Sequence, residues 1–178
     1  GAEGSKAWFE AVAATYGVDA ERTQQVLEMP YQRAKRAVSV HRSKLEGKRI
    51  HLLPDSQLEI PMARFLSEEC GLGINEIGTP FHDQLVMRGE LARLPKEVPI
   101  VEGQDLDPAL SRVRASRPDL TVCGMGIANA LESEGLRTKW SIELVFSPVQ
   151  GFDQAGDLAG LFAKPLARQE ILEVGSWS

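Results

Sequence analysis

Short apolar runs alternate with helical periodicity from Lys48 onward, and this alternation constrains the fold more than any other feature. The predicted strands are 50–53, 74–77, 98–101, 119–123 and 138–141. Helices are predicted between them because apolar residues recur at helical spacing, as at Leu58, Met62 and Leu66. Strands that alternate with helices of about 10–15 residues form a mostly parallel sheet. The sequence therefore predicts a doubly wound, Rossmann-like α/β domain over 48–168.

Two leading helices are predicted ahead of this domain, within 1–47. The first covers 4–15 and carries an apolar face: Trp8, Ala11 and Val12. The second is capped by Asp19, runs to about Leu45 and bends near Pro30. Both are expected to pack on the α/β domain.

The end of the chain is predicted to be irregular. A last helix is expected over 153–163, and Pro165 is expected to end it because proline removes a backbone donor. Residues 169–178 are interpreted as a loose tail. At the other end, the chain begins at Gly1 without a methionine, which is typical of a start within a longer protein.

Basic residues are concentrated near the start. Residues 1–50 contain nine Lys and Arg against six Asp and Glu, whereas residues 51–178 contain eleven against nineteen. Nucleic-acid binding would need aromatic side chains for base stacking, and Tyr31 alone lies in the basic segment. The favoured interpretation is the solvated face of an amphipathic helix, without nucleic acid. No run approaches the ~20 apolar residues of a membrane-spanning helix.

The motif search gives no catalytic signature. Walker A, G-x-S-x-G and H-E-x-x-H patterns are all missing. Two cysteines are too few for a disulfide framework and suggest a reducing compartment. Cys70 is interpreted as a buried hydrophobe, whereas Cys123 ends a core strand at the ligand-facing edge and has no partner cysteine nearby. Of the three histidines, His82 alone is predicted to lie on a loop at that edge.

The segment Gly124-Met125-Gly126 follows a predicted strand and precedes a helix. A dinucleotide fingerprint needs a third glycine at position 129, where this chain has Asn129. Two interpretations stay open: a tight turn, which is favoured, and a backbone that approaches a ligand closely.

Aromatic residues gather after the last predicted strand, on segments expected to be extended or looped: Trp140, Phe146 and Phe152. Such a group suits a large, flat, apolar ligand. It equally suits a hydrophobic seam against another domain or subunit. Composition does not separate these alternatives.

Four stretches together carry a resemblance to a known family: LPDSQLEIPMARFL at 53–66, RPDLTVCGMGIAN at 117–129, TKWSIELVF at 138–146 and QAGDLAGLF at 154–162. They closely resemble the carboxyl-terminal part of subunit N of light-independent (dark-operative) protochlorophyllide reductase, a nitrogenase-like family. The resemblance runs from Gly1 to about Arg168. It implies a nitrogenase-component-1-like α/β domain that is one part of a larger subunit.

The resemblance also implies an activity. Members of the family reduce the C17–C18 double bond of protochlorophyllide in chlorophyll or bacteriochlorophyll synthesis. The N and B subunits form a heterotetramer with 4Fe–4S clusters, and an ATP-hydrolysing iron–sulfur L dimer delivers electrons. The cluster cysteines lie in an upstream domain, so Cys70 and Cys123 do not inherit the ligand role, and no metal ligand is expected here.

The region 139–152 corresponds to the part of the family that reaches the pigment. Trp140 and Phe146 match it and are the substrate-binding candidates, while Glu143 and His82 are conceivable polar contacts. No catalytic residue is assigned. The chain is expected to be an inactive part of the catalytic NB component, in the bacterial cytoplasm or, if plastid-encoded, in the chloroplast stroma. The alternatives are a stand-alone module that binds a small ligand and a purely structural interface domain.

Overall fold

The computed structural model describes the backbone of residues 1–173 and the side chains of residues 1–168. The elements are, in chain order, α1 (Ala2–Thr15), α2 (Ala20–Leu45), β1 (Arg49–Leu52), α3 (Glu59–Arg64), a π-helical turn (Phe65–Glu69), β2 (Gly73–Thr79), α4 (Arg88–Leu91), β3 (Ile100–Glu102), α5 (Leu106–Ser116), β4 (Leu120–Cys123), α6 (Met125–Ser133), β5 (Thr138–Trp140), α7 (Ile142–Phe146) and α8 (Ala155–Glu173). No helix of the described part is long and apolar enough to span a bilayer.

The five strands form one parallel sheet in the order β3-β2-β1-β4-β5. The chain first builds outward from β1 to β3 and then returns to place β4 on the other side of β1. The order of the strands therefore reverses between β1 and β4, and ligands of such sheets bind at this point, outside the carboxyl ends of the strands. The predicted strands and the doubly wound α/β class are confirmed.

Side chains of successive strand residues point to opposite faces of the sheet, and the two faces differ. On β1, Ile50 and Leu52 join the main apolar core with α2 and α8, whereas His51 points to the α5 side. The α5 and α6 side holds a smaller cluster that includes Val113 and Leu131. Helices on both faces are what a doubly wound sheet requires.

A row of buried polar residues crosses the face under α5 and α6. Strand register aligns Glu76, His51, Thr121 and Thr138 on four neighbouring strands. Arg112 on α5 binds the Glu76 carboxylate through two nitrogens, at 2.7 and 2.9 Å. His51 is 1% exposed, and neither of its ring nitrogens has a hydrogen-bond partner among the described residues; the Thr121 hydroxyl has none either.

Helices α2 and α8 approach each other closely on the other face. A Cβ atom added to Gly156 would lie 2.7 Å from the Cβ of Ala37, a distance that side chains do not tolerate. Glycine at this position therefore sets the spacing of the two helices. The predicted start of α2 is confirmed, because the Asp19 carboxylate accepts a hydrogen bond from the Arg22 backbone at 3.0 Å.

Three expectations about helices are wrong. The last helix continues through Pro165 to Glu173, so the first part of the predicted loose tail is helical; residues 174–178 lie outside the described residues. The predicted apolar face of α1 is turned outward, since Trp8 is 61% exposed and the small residues Ala2 and Ser5 are buried instead. Phe146 lies at the end of the short helix α7 rather than on a loop. The boundary at residue 47 stays a prediction.

Candidate functional site at the carboxyl edge of the sheet

Polar side chains meet where β1, β4 and β5 end. The Ser141 hydroxyl donates to the Asp55 carboxylate, and its oxygen also lies 3.1 Å from the Cys123 carbonyl oxygen. A Cβ at Gly124 would lie 3.2 Å from Asp55 Oδ1, so the close approach at Gly124 is to the chain's own carboxylate. These contacts tie the three loops together at the point where the strand order reverses.

Large apolar side chains are exposed in the segment that follows every strand: Leu58, Phe81, Leu85, Val86, Leu106, Met125, Val145 and Phe146. Because the strands are parallel, all of these segments leave the sheet at the same edge. We call these eight residues the apolar edge. Phe146 is the most exposed of them, at 82%. Where such side chains are contiguous, exposed apolar surface marks a site for a ligand, another domain or a partner protein.

A cavity of about 670 Å³ runs beside β5, between that edge strand and α8. Its volume lies within the range of roughly 300–1,000 Å³ that is typical of sites for small molecules and cofactors. Trp140 lines it and also packs, half-buried, against the smaller apolar cluster. Leu136, Leu161 and Pro165 supply further apolar surface.

The three aromatic residues that the sequence grouped together lie in different surroundings. Trp140 borders the cavity, and Phe146 is exposed on α7, outside the cavity lining. Phe152 is buried in the main core, and its ring stacks on that of Phe9 with centroids 5.6 Å apart. The interpretation of Phe152 as part of a ligand-facing aromatic loop is therefore wrong, because a leading helix covers it.

The polar candidates lie next to charged residues. His82 lies after β2, as predicted, and its Nδ1 lies 3.1 Å from the Glu102 carboxylate without meeting the geometry of a hydrogen bond. Glu143 forms an ion pair with Lys139, which is only 4% exposed and lines the cavity. His82 and Glu143 both lie at the carboxyl edge of the sheet, but they are not in contact with each other.

The two cysteines do not fit an iron–sulfur site. Burial raises the pKa of both the Cys70 and Cys123 thiols to about 12, whereas a cluster ligand must be a thiolate. The two residues belong to the two separate apolar clusters on opposite sides of the sheet. No group of three or more potential metal ligands occurs within the described residues.

The sequence did not reveal the basic residues of the cavity. Lys164 and Arg168 line it from α8, four residues apart on one helix face. They were missed because the helix was expected to end at Pro165. The usable signal was the apolar stripe Leu158, Phe162 and Leu166, which keeps its spacing of four past the proline.

Comparison with known sequences gives consistent matches. The family model described as nitrogenase component 1 type oxidoreductase matches residues 1–166. Light-independent protochlorophyllide reductase subunit N of Halorhodospira halophila is 58% identical over 98% of this chain, and that of Acidiphilium rubrum is 55% identical over the same share. Each match covers 41% of the relative, so the chain spans about two fifths of the length of the curated relatives it matches.

Solved structures with the same fold are much more distant in sequence. A structure described as nitrogenase Cp1 at pH 5 aligns with a TM-score of 0.74 and 14% identity, and the alignment covers 94% of this chain and 40% of that one. A second structure, described as nitrogenase Cp1 at pH 6.5, aligns with a TM-score of 0.69. At 14% sequence identity, these two structures show that the fold is shared and nothing more.

Proposed function

Because the chain belongs to the nitrogenase component 1 type oxidoreductase family, we propose that it is part of the catalytic component of a light-independent protochlorophyllide reductase. Relatives of that name share 54–58% of its residues. The observation that carries the proposal is the apolar edge, to which the segments after all five strands contribute. A flat tetrapyrrole is a ligand that needs such a surface.

The reaction we propose is reduction of the C17–C18 double bond to give chlorophyllide. Electrons would come from an ATP-dependent iron–sulfur L protein through a 4Fe–4S cluster of the heterotetramer that the full-length N protein forms with the B protein. The buried, high-pKa thiols of Cys70 and Cys123 support cluster ligands outside this chain. We therefore assign this chain a binding role, with the bacterial cytoplasm or, for a plastid-encoded protein, the chloroplast stroma as its location.

In this proposal Trp140 and Phe146 hold the pigment. The Trp140 ring is anchored against the smaller apolar cluster, and so it presents a fixed wall to the cavity. Phe146, exposed on α7, extends the apolar surface beyond the cavity. Contact with these side chains would remove apolar surface of the macrocycle from water, and this would favour binding.

The test is reconstitution of the full-length N protein with the B and L proteins, with ATP and a reductant. Conversion of protochlorophyllide to chlorophyllide is followed by absorbance. We expect Trp140→Ala to weaken pigment binding and turnover by roughly tenfold, as is typical of a buried aromatic anchor. Trp8→Ala removes the same side chain from α1, far along the chain, and should leave both unchanged.

Two results would contradict the proposal. One is a complex that assembles but neither binds nor reduces the pigment. The other is a Trp140→Ala protein with unchanged affinity and turnover. If the variant instead failed to assemble with the B protein while its fold was intact, the surface around Trp140 would be a structural interface.

A further inference from the structure

The cavity beside β5 carries an excess of positive charge. Among the described residues, six ionisable side chains line it, four basic and two acidic: Arg137, Lys139, Lys164, Arg168, Glu132 and Glu143. The surrounding sequence has the opposite character, with eleven basic and nineteen acidic residues over 51–178. More than a third of the basic residues of this segment therefore face one cavity.

Both carboxylates of the cavity are already engaged. Glu143 pairs with Lys139, and Glu132 accepts a hydrogen bond from the Thr138 hydroxyl. Lys139 is almost fully buried, so its charge is balanced locally by Glu143. Within the part of the chain that the structure describes, neither carboxylate forms an ion pair with the two cations of α8, Lys164 and Arg168.

Lys164 and Arg168 form no hydrogen bond or ion pair with the side chains that the structure describes. They lie four residues apart on α8, so both reach the same part of the cavity. An ammonium and a guanidinium together are well suited to a carboxylate, which the guanidinium can bind through two nitrogens.

Apart from Gly135 and Thr138, the other described residues of the lining are apolar. Trp140 and Leu136 lie on the β5 side, and Leu161 and Pro165 lie on the α8 side. A ligand that fills this space must therefore combine an apolar body with an anionic group. An inorganic anion would satisfy the cations but leave the apolar walls in contact with water.

We propose that the cavity beside β5 binds an apolar carboxylic acid, whose carboxylate is held by Lys164 and Arg168 and whose apolar body lies against Trp140. The identification of this acid as protochlorophyllide, through its propionate, rests on the function proposed above. The cavity would then fix the orientation of the pigment, because the macrocycle has one end that the cations can bind.

The experiment compares an acid with its ester. The full-length protein, assembled in its complex, is titrated with protochlorophyllide and with its methyl ester, and separately with protoporphyrin IX and its dimethyl ester. The test variant carries Lys164→Met and Arg168→Gln. The control carries Lys44→Met and Arg36→Gln, which remove the same charges from exposed positions on α2. Exposed substitutions of this kind leave folding nearly unaffected.

We expect the affinity of the test variant for each acid to be at least about tenfold lower than that of the natural protein, because charge-assisted hydrogen bonds are lost. Its affinity for each ester should equal that of the natural protein. The charge-conserving variant with Lys164→Arg and Arg168→Lys should keep most of the preference for the acid. The control variant should keep all of it.

The outcomes separate the two proposals. If the pigment binds but the preference for acid over ester is the same in the test variant, the carboxylate site is overturned and the proposed function stands. If protochlorophyllide does not bind but protoporphyrin IX shows a preference that depends on Lys164 and Arg168, the proposed function fails and the carboxylate site stands. If neither acid binds the natural complex, both are overturned.

Discussion

The sheet face under α2 and α8 buries apolar side chains from the central strands, whereas the face under α5 and α6 buries a polar row from the same strands. On β1 and β4, Ile50, Leu52, Leu120 and Val122 belong to the main core. Their neighbours His51 and Thr121 point the other way and leave polar atoms without hydrogen-bond partners among the described residues. One face is therefore apolar, and the other contains groups that cost stability when they are not hydrogen-bonded.

The difference shows where the stability of the fold resides. In the described part of the chain, twenty-six buried residues form the main cluster, against seven in the smaller one. Large changes in stability are therefore expected from the α2 and α8 side. The polar face should instead govern how stability depends on pH, because it holds the buried titratable pair His51 and Glu76.

The largest effect is expected from Phe162→Ala. Phe162 is fully buried between α8 and the sheet, and truncation of a buried phenylalanine costs about 3–5 kcal/mol through lost burial and a cavity. The free energy of unfolding from urea titration measures this. Phe146→Ala, at an exposed phenylalanine, should change it by less than about 0.5 kcal/mol. Equal effects at the two positions would show that the α8 face is not the main source of stability.

A middle-sized effect is expected from a matched pair of glycines. Gly156 and Gly126 are the second residues of α8 and α6. A Cβ at Gly156 would clash with Ala37, so Gly156→Ala should destabilise by about 1–3 kcal/mol.

Gly126 has no atom within 4 Å of an added Cβ, so Gly126→Ala should stabilise by about 0.4–1 kcal/mol through helix propensity. The direction of each stability change is measured as the shift of the melting temperature in thermal unfolding. The contrast between a glycine buried at a helix–helix contact and an exposed glycine would be lost if both substitutions shifted the melting temperature in the same direction.

The smallest effect is a dependence on pH from the polar face. Burial lowers the pKa of His51, with Glu76 opposing and Arg112 reinforcing the shift. Folded His51 is therefore neutral where an unfolded histidine, with a pKa of about 6.5, becomes charged. The contribution of His51 to stability is complete above pH ~6.5 and declines as the pH falls toward the lowered pKa of the folded state.

Replacement of the imidazole should flatten this slope. The free energy of unfolding of His51→Leu, measured between about pH 7 and pH 5, should fall less than that of the natural protein. Thr121→Val changes the neighbouring strand without removing a titratable group and should keep the natural slope. A His51→Leu protein with the natural slope would mean that other groups set the pH response.

The strands and one helix cap were predictable because their signals are local. Apolar runs bounded by glycine or proline, and an aspartate ahead of a helical pattern, act within a few residues. Asp19 accepts the hydrogen bond that such a cap requires. The position of Trp140 at the end of a strand also followed from local sequence, and so did its place at the carboxyl edge.

The remaining features depend on contacts between distant segments. Helix α8 continues past Pro165 because Phe162 and Leu166 are both buried, so packing outweighs the cost of a proline within a helix. Phe152 is buried because α1 brings Phe9 onto it. The cavity required both the extended α8 and the edge strand β5, and neither its volume nor its charge follows from either segment alone.

The pairing of α2 with α8 has a consequence for synthesis of the protein on the ribosome. Arg33 and Asp153, which form an ion pair, are 120 residues apart. At translation rates of about 5–20 residues per second, α8 emerges roughly 6–24 seconds after α2. During that interval Ile50 and Leu52 have no α8 to cover them. The nascent chain should therefore be a substrate for ribosome-associated chaperones until α8 has emerged.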